Sequence, residues 1–118
     1  MTTRGTLPVI VAFIALPAVA APPTTCAQTD VYGKALCAYQ MRHFDDAEAG
    51  FREIVGRGAK DAETLHATYF LARTEMKRGQ WKAGSDLLIR IYGLDRAFYD
   101  TWSCDFLLGE CRKGLGKE

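Results

Sequence analysis

Apolar and small residues recur along this chain at helical spacing, and the pattern itself recurs 37 positions further on. Tyr32, Tyr69 and Phe106 occupy equivalent positions in three segments. A second pattern of aromatic, small and bulky residues occurs twice at the same offset. A fixed period of this kind is typical of stacked helical units, each too small to bury an apolar surface alone. The second pattern consists of Phe44, Ala47, Phe51 and Ile54, matched by Trp81, Gly84, Leu88 and Ile91.

The repeated pattern predicts an all-α fold, a short right-handed α-solenoid of two helix-turn-helix repeats plus a C-terminal capping helix. Glycines and capping aspartates mark the ends of five expected helices. The last of them should cover the apolar side of the preceding pair. The five are expected from Thr29 or Asp30 to about Met41, from Phe44 to Gly56, from Asp61 to Gly79, from Gln80 or Trp81 to about Gly93, and from between Asp95 and Thr101 to about Lys113.

Small residues stand at equivalent positions of the expected helices. Ala35, Ala72 and Gly109 belong to the first helix of each unit, and Ala47 and Gly84 belong to the second. Two helices of a hairpin can pack closely only where side chains are small, because bulk would push them apart. We therefore expect all five residues to lie in contacts between helices.

The start of the chain is typical of a secretory signal peptide. Arg4 precedes an apolar run that begins at Leu7, and Ala18 and Ala20 form a small-x-small cleavage signal. The run is bracketed by prolines and is shorter than the about 20 apolar residues that a membrane span needs. We expect a signal peptide over residues 1–20, an extended lead-in over 21–29 and the helical domain over 30–118. The protein would then be exported, either to a periplasm or out of the cell.

The charge balance argues against polyanionic partners. Cleavage after Ala20 would remove Arg4 and change 15 basic against 14 acidic residues to 14 against 14. A neutral chain has no long-range field that would attract nucleic acid or an anionic membrane. We expect neither as a partner, and no stable membrane insertion after cleavage.

All four cysteines, Cys26, Cys37, Cys104 and Cys111, lie in the part expected to be exported. An even count in a small exported domain favours two disulfides, with three possible connectivities. Cys26 precedes the first helix and could fold back on Cys37, which makes this pair the first choice. Cys104 and Cys111 would lie roughly 10 Å apart on an unbroken helix, beyond bonding reach. The cysteines have no metal-binding spacing with each other or with a histidine, so neither a metal nor a cofactor is expected.

The recurring residues resemble the tetratricopeptide repeat family over about residues 28–113. Phe70-Leu71-Ala72 is similar to the family's Leu-Gly step, and Arg78-Gly79-Gln80-Trp81 is similar to its interhelical turn. The family's period is about 34 residues, shorter than the period here. The longer period and the export signal resemble the periplasmic branch of the family.

The resemblance implies a non-enzymatic scaffold that binds a protein or peptide in a concave groove. In the family this groove is formed by the first helix of each repeat. Aromatic rings flanked by cations suit a peptide, because rings give contact area at low entropy cost. Three of the rings would stack as one column, those of Tyr32, Tyr69 and Phe106. The implied groove residues are Tyr32, Leu36, Tyr39, Gln40, His66, Tyr69, Arg73, Met76, Lys77, Phe106, Glu110 and Lys113.

Two other interpretations stay open. An aromatic stripe at helical spacing is more often core than binding site, and Arg73 and Lys77 could belong to a merely solvated surface. A structural protein that associates with itself, end to end or through an unpaired cysteine, is the alternative function. An enzyme is disfavoured, because His43, His66, Ser85 and Ser103 lack the motifs that pair a nucleophile with a base.

Overall fold

A computed structural model describes Gly5 and residues 26–117, and these residues form six α-helices and no strand. The predicted all-α class is confirmed. The predicted signal peptide and residues 21–25 of the lead-in lie outside the described residues. The helices are α1 Val31–Gln40, α2 Phe44–Gly56, α3 Ala62–Lys77, α4 Trp81–Leu94, α5 Arg96–Thr101 and α6 Cys104–Gly116.

Aspartate side chains begin three of the helices. The carboxylate of Asp30 accepts a hydrogen bond from the backbone N–H of Gly33, and that of Asp61 accepts one from Thr64. Asp95 does the same for Phe98 at the start of α5. Such caps satisfy N–H groups that the first helical turn leaves unpaired. The hydrogen bond from the Thr64 backbone also lowers the pKa of Asp61.

The predicted fifth helix is wrong as one element, because the chain breaks it into α5 and α6. Trp102 ends α5, and Ser103 adopts a left-handed conformation with φ 52° before α6 begins. A non-glycine residue rarely adopts a positive φ, and one such residue cannot continue a right-handed helix. The break lets α6 take its own direction.

The helices pack largely in chain order. α1 packs on α2, α2 on α3, α3 on α4, and α4 on α6, while the short α5 rests on α4 and α6. Two groups of buried residues form the core, one around α1 to α3 and one around α3 to α6, and Phe70 and Leu87 border both. The predicted bulky residues of the second helices, Phe51, Ile54, Leu88 and Ile91, are at most 1 % exposed.

The predicted close approaches are confirmed for α1 to α4 and wrong for α6. A methyl group added at Gly84 would lie 3.3 Å from the carbonyl oxygen of Ala72, and Ala35, Ala47 and Ala72 are buried. Around Gly109 there is open space. The glycine that α6 uses is Gly114, where an added methyl group would overlap the indole ring of Trp81.

One of the two expected disulfides is present. The sulfur atoms of Cys26 and Cys37 are bonded at 2.05 Å, the pair that was the first choice. Cys104 and Cys111 are free and buried on α6, so the expectation of a second bond is wrong. They lie on one unbroken helix, which holds residues seven positions apart out of bonding reach. Burial raises the pKa of Cys104 to about 11 and also raises the pKa of Cys111.

Within residues 26–117, none of the six helices combines the length and the apolar character needed to cross a membrane.

Candidate functional site

Arg73, in the C-terminal half of α3, lies between two aromatic rings. Its guanidinium carbon is 5.7 Å from the ring centre of Tyr39 on α1 and 5.7 Å from that of Tyr69 on its own helix. One guanidinium nitrogen also donates a hydrogen bond of 3.5 Å to the Tyr69 hydroxyl. Cation–π contacts of this kind orient a guanidinium without neutralising its charge. Arg73 therefore joins α1 to α3 and keeps a full positive charge at the surface.

Two clefts open on either side of Arg73 and Lys77. The first, of about 260 Å³, lies between α1 and α3 and is lined by Tyr39, Gln40, Arg42, Phe44, Arg73 and Lys77. The second, of about 230 Å³, lies between α3, α4 and α6 and is lined by Arg73, Met76, Lys77, Trp81, Leu107 and Glu110. We call the two clefts and the cations between them the Arg73 face.

The second cleft has an apolar floor and charged rims. Met76, Trp81 and Leu107 are half-buried and supply the apolar surface. The two cations of α3 face Glu110 of α6 across it, and Glu110 pairs with Lys113 at 3.3 Å. A cleft with an apolar floor and a few charges suits a side chain of a bound peptide, since the floor supplies affinity and the charges supply orientation.

Arg73 and Lys77 have no carboxylate partner among residues 26–117. Other cations do pair: Arg78 at the end of α3 contacts Asp45 at 3.3 Å and also contacts Glu48, both on α2. That ion pair fixes α3 against α2. It also borders a larger surface cleft, of about 570 Å³, whose lining mixes both signs of charge. The unpaired cations of the Arg73 face remain available to an acidic ligand.

The structure brings together only part of the residues that the resemblance implied for the groove. Tyr39, Gln40, Arg73, Met76, Lys77 and Glu110 line the Arg73 face. Leu36 packs against the first core group. Lys113 is outside both clefts and reaches the face only through its ion pair with Glu110. The predicted aromatic column is wrong, as the surroundings of its three members show.

The three rings of the predicted column lie in three different environments. Tyr32 packs edge-on against Phe51 of α2, with 6.0 Å between the ring centres. Tyr69 is 6 % exposed, and its ring centre lies 5.0 Å from that of Trp102. Phe106 is 66 % exposed and lines neither cleft. The 37-residue period predicted the ring of Phe106 in the groove. Because the break before α6 changes the direction of this helix, the ring lies on its exposed side instead.

His66 lies away from the Arg73 face. Its Nδ1 is 2.7 Å from the carbonyl oxygen of Ala62, and its ring packs edge-on against Phe98 and Trp102, which stack on each other. An imidazole held in this way fills a half-buried aromatic group under α5 and supports the start of α3. It does not line either cleft of the Arg73 face.

Sequence reasoning missed four residues of the Arg73 face: Arg42, Phe44, Trp81 and Leu107. Phe44 and Trp81 begin the second helix of each pair, and their equivalence was visible in the period. They were interpreted as parts of the repeated helical pattern and of the turn between helices, not as groove residues. Both are half-buried, so each ring packs inward with one edge and lines a cleft with the other.

The histidine and serine residues considered for catalysis lie on different elements. His43 is at the start of α2, Ser85 lies in α4, and Ser103 is at the break before α6. No group of three or more His, Cys, Asp or Glu side chains within residues 26–117 could hold a metal ion.

Comparison of the chain with protein families, with curated proteins and with solved structures gave no match. The candidate site therefore has to be interpreted from its own geometry and chemistry.

Proposed function

We propose that this chain is an exported, non-enzymatic scaffold that binds a protein or peptide segment at the Arg73 face. In this proposal the helices form a short right-handed solenoid of two pairs, α1–α2 and α3–α4, which α6 caps. The bound segment would carry acidic side chains beside apolar ones.

Helix packing in chain order supports the solenoid. α3 meets the preceding pair in a core group that includes Ala67 and Leu71, and Thr74 on the same helix is also buried. The residues 37 positions later in α6 are also buried, and α6 packs on α4. Equivalent positions of α3 and α6 are therefore buried where each helix packs against the preceding pair, as expected of stacked repeats. These residues of α6 are Cys104, Leu108 and Cys111.

The disulfide supports export. Cys26 and Cys37 tie the segment before α1 to that helix. Disulfides form and persist in oxidising compartments and are rare where thiol reductants are abundant. A bond at this place is therefore the chemistry expected of an exported chain.

The single observation that carries the binding proposal is the position of Arg73 and Lys77. Their charges have no carboxylate partner within the described part of the chain, and clefts with aromatic or apolar walls flank them on both sides. An acidic side chain would pair with these cations while its neighbours fill the clefts. Arginine and aromatic residues at such a place dominate the binding energy of many interfaces.

A peptide array tests the proposal. Each apolar test sequence is presented in a Glu-containing and a Lys-containing version, and labelled wild-type protein is applied to both. We expect stronger retention on the Glu versions. The double variant Arg73→Glu, Lys77→Glu should lose this preference about tenfold, which corresponds to about 1.4 kcal/mol.

The matched control is the double variant Lys60→Glu, Arg90→Glu. Both residues are exposed, line neither cleft and change the net charge by the same amount. The control should bind as the wild type does. Equal losses of binding in the two double variants would show that the effect comes from the net charge of the protein. Unchanged binding in the Arg73→Glu, Lys77→Glu variant would show that the Arg73 face is not the binding site.

Self-association is the second candidate function, favoured by large apolar side chains at the surface. Ile89 is 53 % exposed and Phe106 is 66 % exposed. Both free cysteines are fully buried, which does not favour association through an unpaired cysteine, one of the routes expected from the sequence. Any association would have to use the exposed surface.

A further inference from the structure

The side of α6 that points away from α4 carries charged and aromatic residues on both sides of a glycine. Gly109 lies at its centre, opposite the buried Cys111 and Cys104. At 3.6 residues per turn, residues three or four positions to either side of Gly109 share this side of the helix. We call the set the outer face of α6, and its members are Asp105, Phe106, Gly109, Arg112 and Lys113.

At the 37-residue offset, the outer face of α6 is equivalent to the sides of α1 and α3 that pack against another helix. Ala35 of α1 and Ala72 of α3, the counterparts of Gly109, are 2 % and 0 % exposed. Each lies against the second helix of its own pair: methyl groups added at Gly50 and Gly84 would lie 2.7 Å from Cβ of Ala35 and 3.3 Å from the carbonyl oxygen of Ala72. The first helix of a pair therefore receives its partner helix on this side.

On α6 the equivalent side is uncovered. Phe106 is 66 % exposed, and no atom lies within 4 Å of a methyl group placed on Gly109. Among residues 26–117, no helix covers this side at Gly109, so it is open to a partner helix.

The charges on the outer face indicate which molecule fits. In an antiparallel pair of identical helices with a two-fold axis at Gly109, the residue n positions before Gly109 faces the residue n positions after it on the second copy. Asp105 then faces Lys113 of the second copy, and Phe106 faces Arg112 of the second copy. The first is a pair of opposite charges, and the second is a cation–π pair. Each contact occurs twice.

The same positions in the other first helices lack this charge pattern. Four positions before and after the central small residue, α1 has Val31 and Tyr39, and α3 has Thr68 and Met76, none of them charged. Those helices have partners within their own chain. Among these three helices of residues 26–117, α6 alone combines an exposed ring with opposite charges placed symmetrically about a glycine, where two backbones can approach closely.

We propose that the outer face of α6 binds a second copy of this chain, α6 against α6 in antiparallel orientation, with Gly109 at the two-fold axis. One helix face is a small interface, so the dimer is weak and forms at high local concentration. Leu107 and Glu110 line the second cleft and are not among the residues of this contact, so the Arg73 face stays open in both copies. Lys113, which pairs with Glu110 at 3.3 Å within one chain, would also pair with Asp105 of the second copy. The dimer would present two such faces to a ligand.

Sedimentation equilibrium of the whole chain tests the proposal by charge reversal. Between roughly 10 µM and 1 mM, a range suited to a small interface, the average mass of the wild type should rise from that of one chain toward that of two. Asp105→Lys should stay monomeric over this range, because it places like charges together. The double variant Asp105→Lys, Lys113→Asp restores opposite charges and should dimerise again.

Three outcomes of this experiment would overturn the proposal. A wild-type chain that stays monomeric up to the highest concentration would do so. An Asp105→Lys variant that associates like the wild type would show that another surface is used. A double variant that stays monomeric would show that the loss did not come from this charge pair.

Oxidative cross-linking gives an independent measurement that does not depend on affinity. Gly109→Cys places one thiol at the axis, in open space that accommodates the side chain. Air oxidation should convert this variant to a disulfide-linked dimer on a non-reducing gel, while the native free thiols stay buried and unreacted. The control Arg90→Cys puts a thiol at an exposed position of α4, away from the proposed axis, and cross-linking of the control as fast as of Gly109→Cys would contradict the proposed axis.

Discussion

α3 and α6 are copies of one pattern at an offset of 37 residues, yet they differ in how much of their surface is buried. α3 lies between α2 and α4 and buries residues on two sides, including Leu71 and Ala72. α6 packs mainly on α4 and α5, and it buries Leu108 while Phe106 is exposed. Both helices keep the contact with the helix pair that precedes them in the chain.

The difference shows that a helical pattern specifies which residues share a side, whereas the neighbours specify which side is buried. Ala72 and Gly109 have equivalent places in the pattern. Ala72 is fully buried because α4 follows α3, and Gly109 has open space because no helix follows α6 in the described chain. Burial is therefore a property of the position in the stack.

Truncation of the equivalent leucines should give the largest effect. Leu71→Ala removes a side chain that is 4 % exposed between two pairs of helices, and it should lower the free energy of unfolding by about 2–5 kcal/mol. Leu108→Ala removes one that is 9 % exposed at the end of the stack, where α6 can move inward to close the space, so its cost should lie near the lower limit. Urea unfolding of both variants gives the two values. A larger loss for Leu108→Ala would reverse the comparison.

Enlargement of the equivalent small residues should give the next largest effect. Ala72→Leu overpacks the contact with α4, where a methyl group on Gly84 would already lie 3.3 Å from the Ala72 carbonyl, and it should cost roughly 1–3 kcal/mol. Thermal unfolding measures this loss as a lower midpoint.

The matched control for that variant is Gly109→Ala in α6. Its methyl group meets no atom within 4 Å, and alanine favours helix over glycine by roughly 0.5–1 kcal/mol. The midpoint of this variant should rise. A stabilised Ala72→Leu, or a destabilised Gly109→Ala, would show that the repeat register does not predict these contacts.

A pH-dependent difference should give the smallest effect. Glu75 of α3 is 2 % exposed beside Glu48 and Arg78, whereas Arg112, its counterpart in α6, is exposed. Burial raises the pKa of Glu75, and the charge of Arg52 opposes the rise. The folded protein thus holds this proton more tightly than the unfolded chain does, so ionisation of Glu75 destabilises the fold as pH rises through the raised pKa. Glu75→Gln cannot ionise and avoids this loss.

Thermal unfolding of wild type and Glu75→Gln from about pH 4 to pH 8 measures the effect. The unfolding midpoint of the variant minus that of the wild type should increase as pH rises and should be smallest at the acid end of the range. Glu53→Gln is the control, because Glu53 is exposed and pairs only loosely with Arg57 at 3.8 Å. A difference between Glu75→Gln and wild type that stays constant with pH would contradict the role given to burial.

Much of the fold was predictable because its signals are local. Asp61 caps α3 as expected, and Phe51, Ile54, Leu88 and Ile91 are buried at the places that the period gave them. Caps and helical spacing act within a few residues of each other, so they can be interpreted without knowledge of distant contacts.

The candidate site was predictable only in part. Arg73 and Lys77 were identified as surface cations, and the structure places them between two clefts. The cleft walls come from α1, α2, α3, α4 and α6, and Trp81 can form a wall only because Gly114 of α6 leaves room for its ring. No pattern within one helix shows a contact of that kind, since it depends on how two distant helices lie together.

The sequence by itself determined the helical class, the order and approximate ends of the first four helices, and the residues that share a side of each helix, whereas it left three cysteine pairings open with Cys26–Cys37 as the first choice. The tertiary structure alone decided the break at Ser103, the side on which α6 packs, and the surroundings of Arg73. The physical reason is that spacing and capping are properties of neighbours in the chain, whereas burial and charge pairing depend on which helices meet in space.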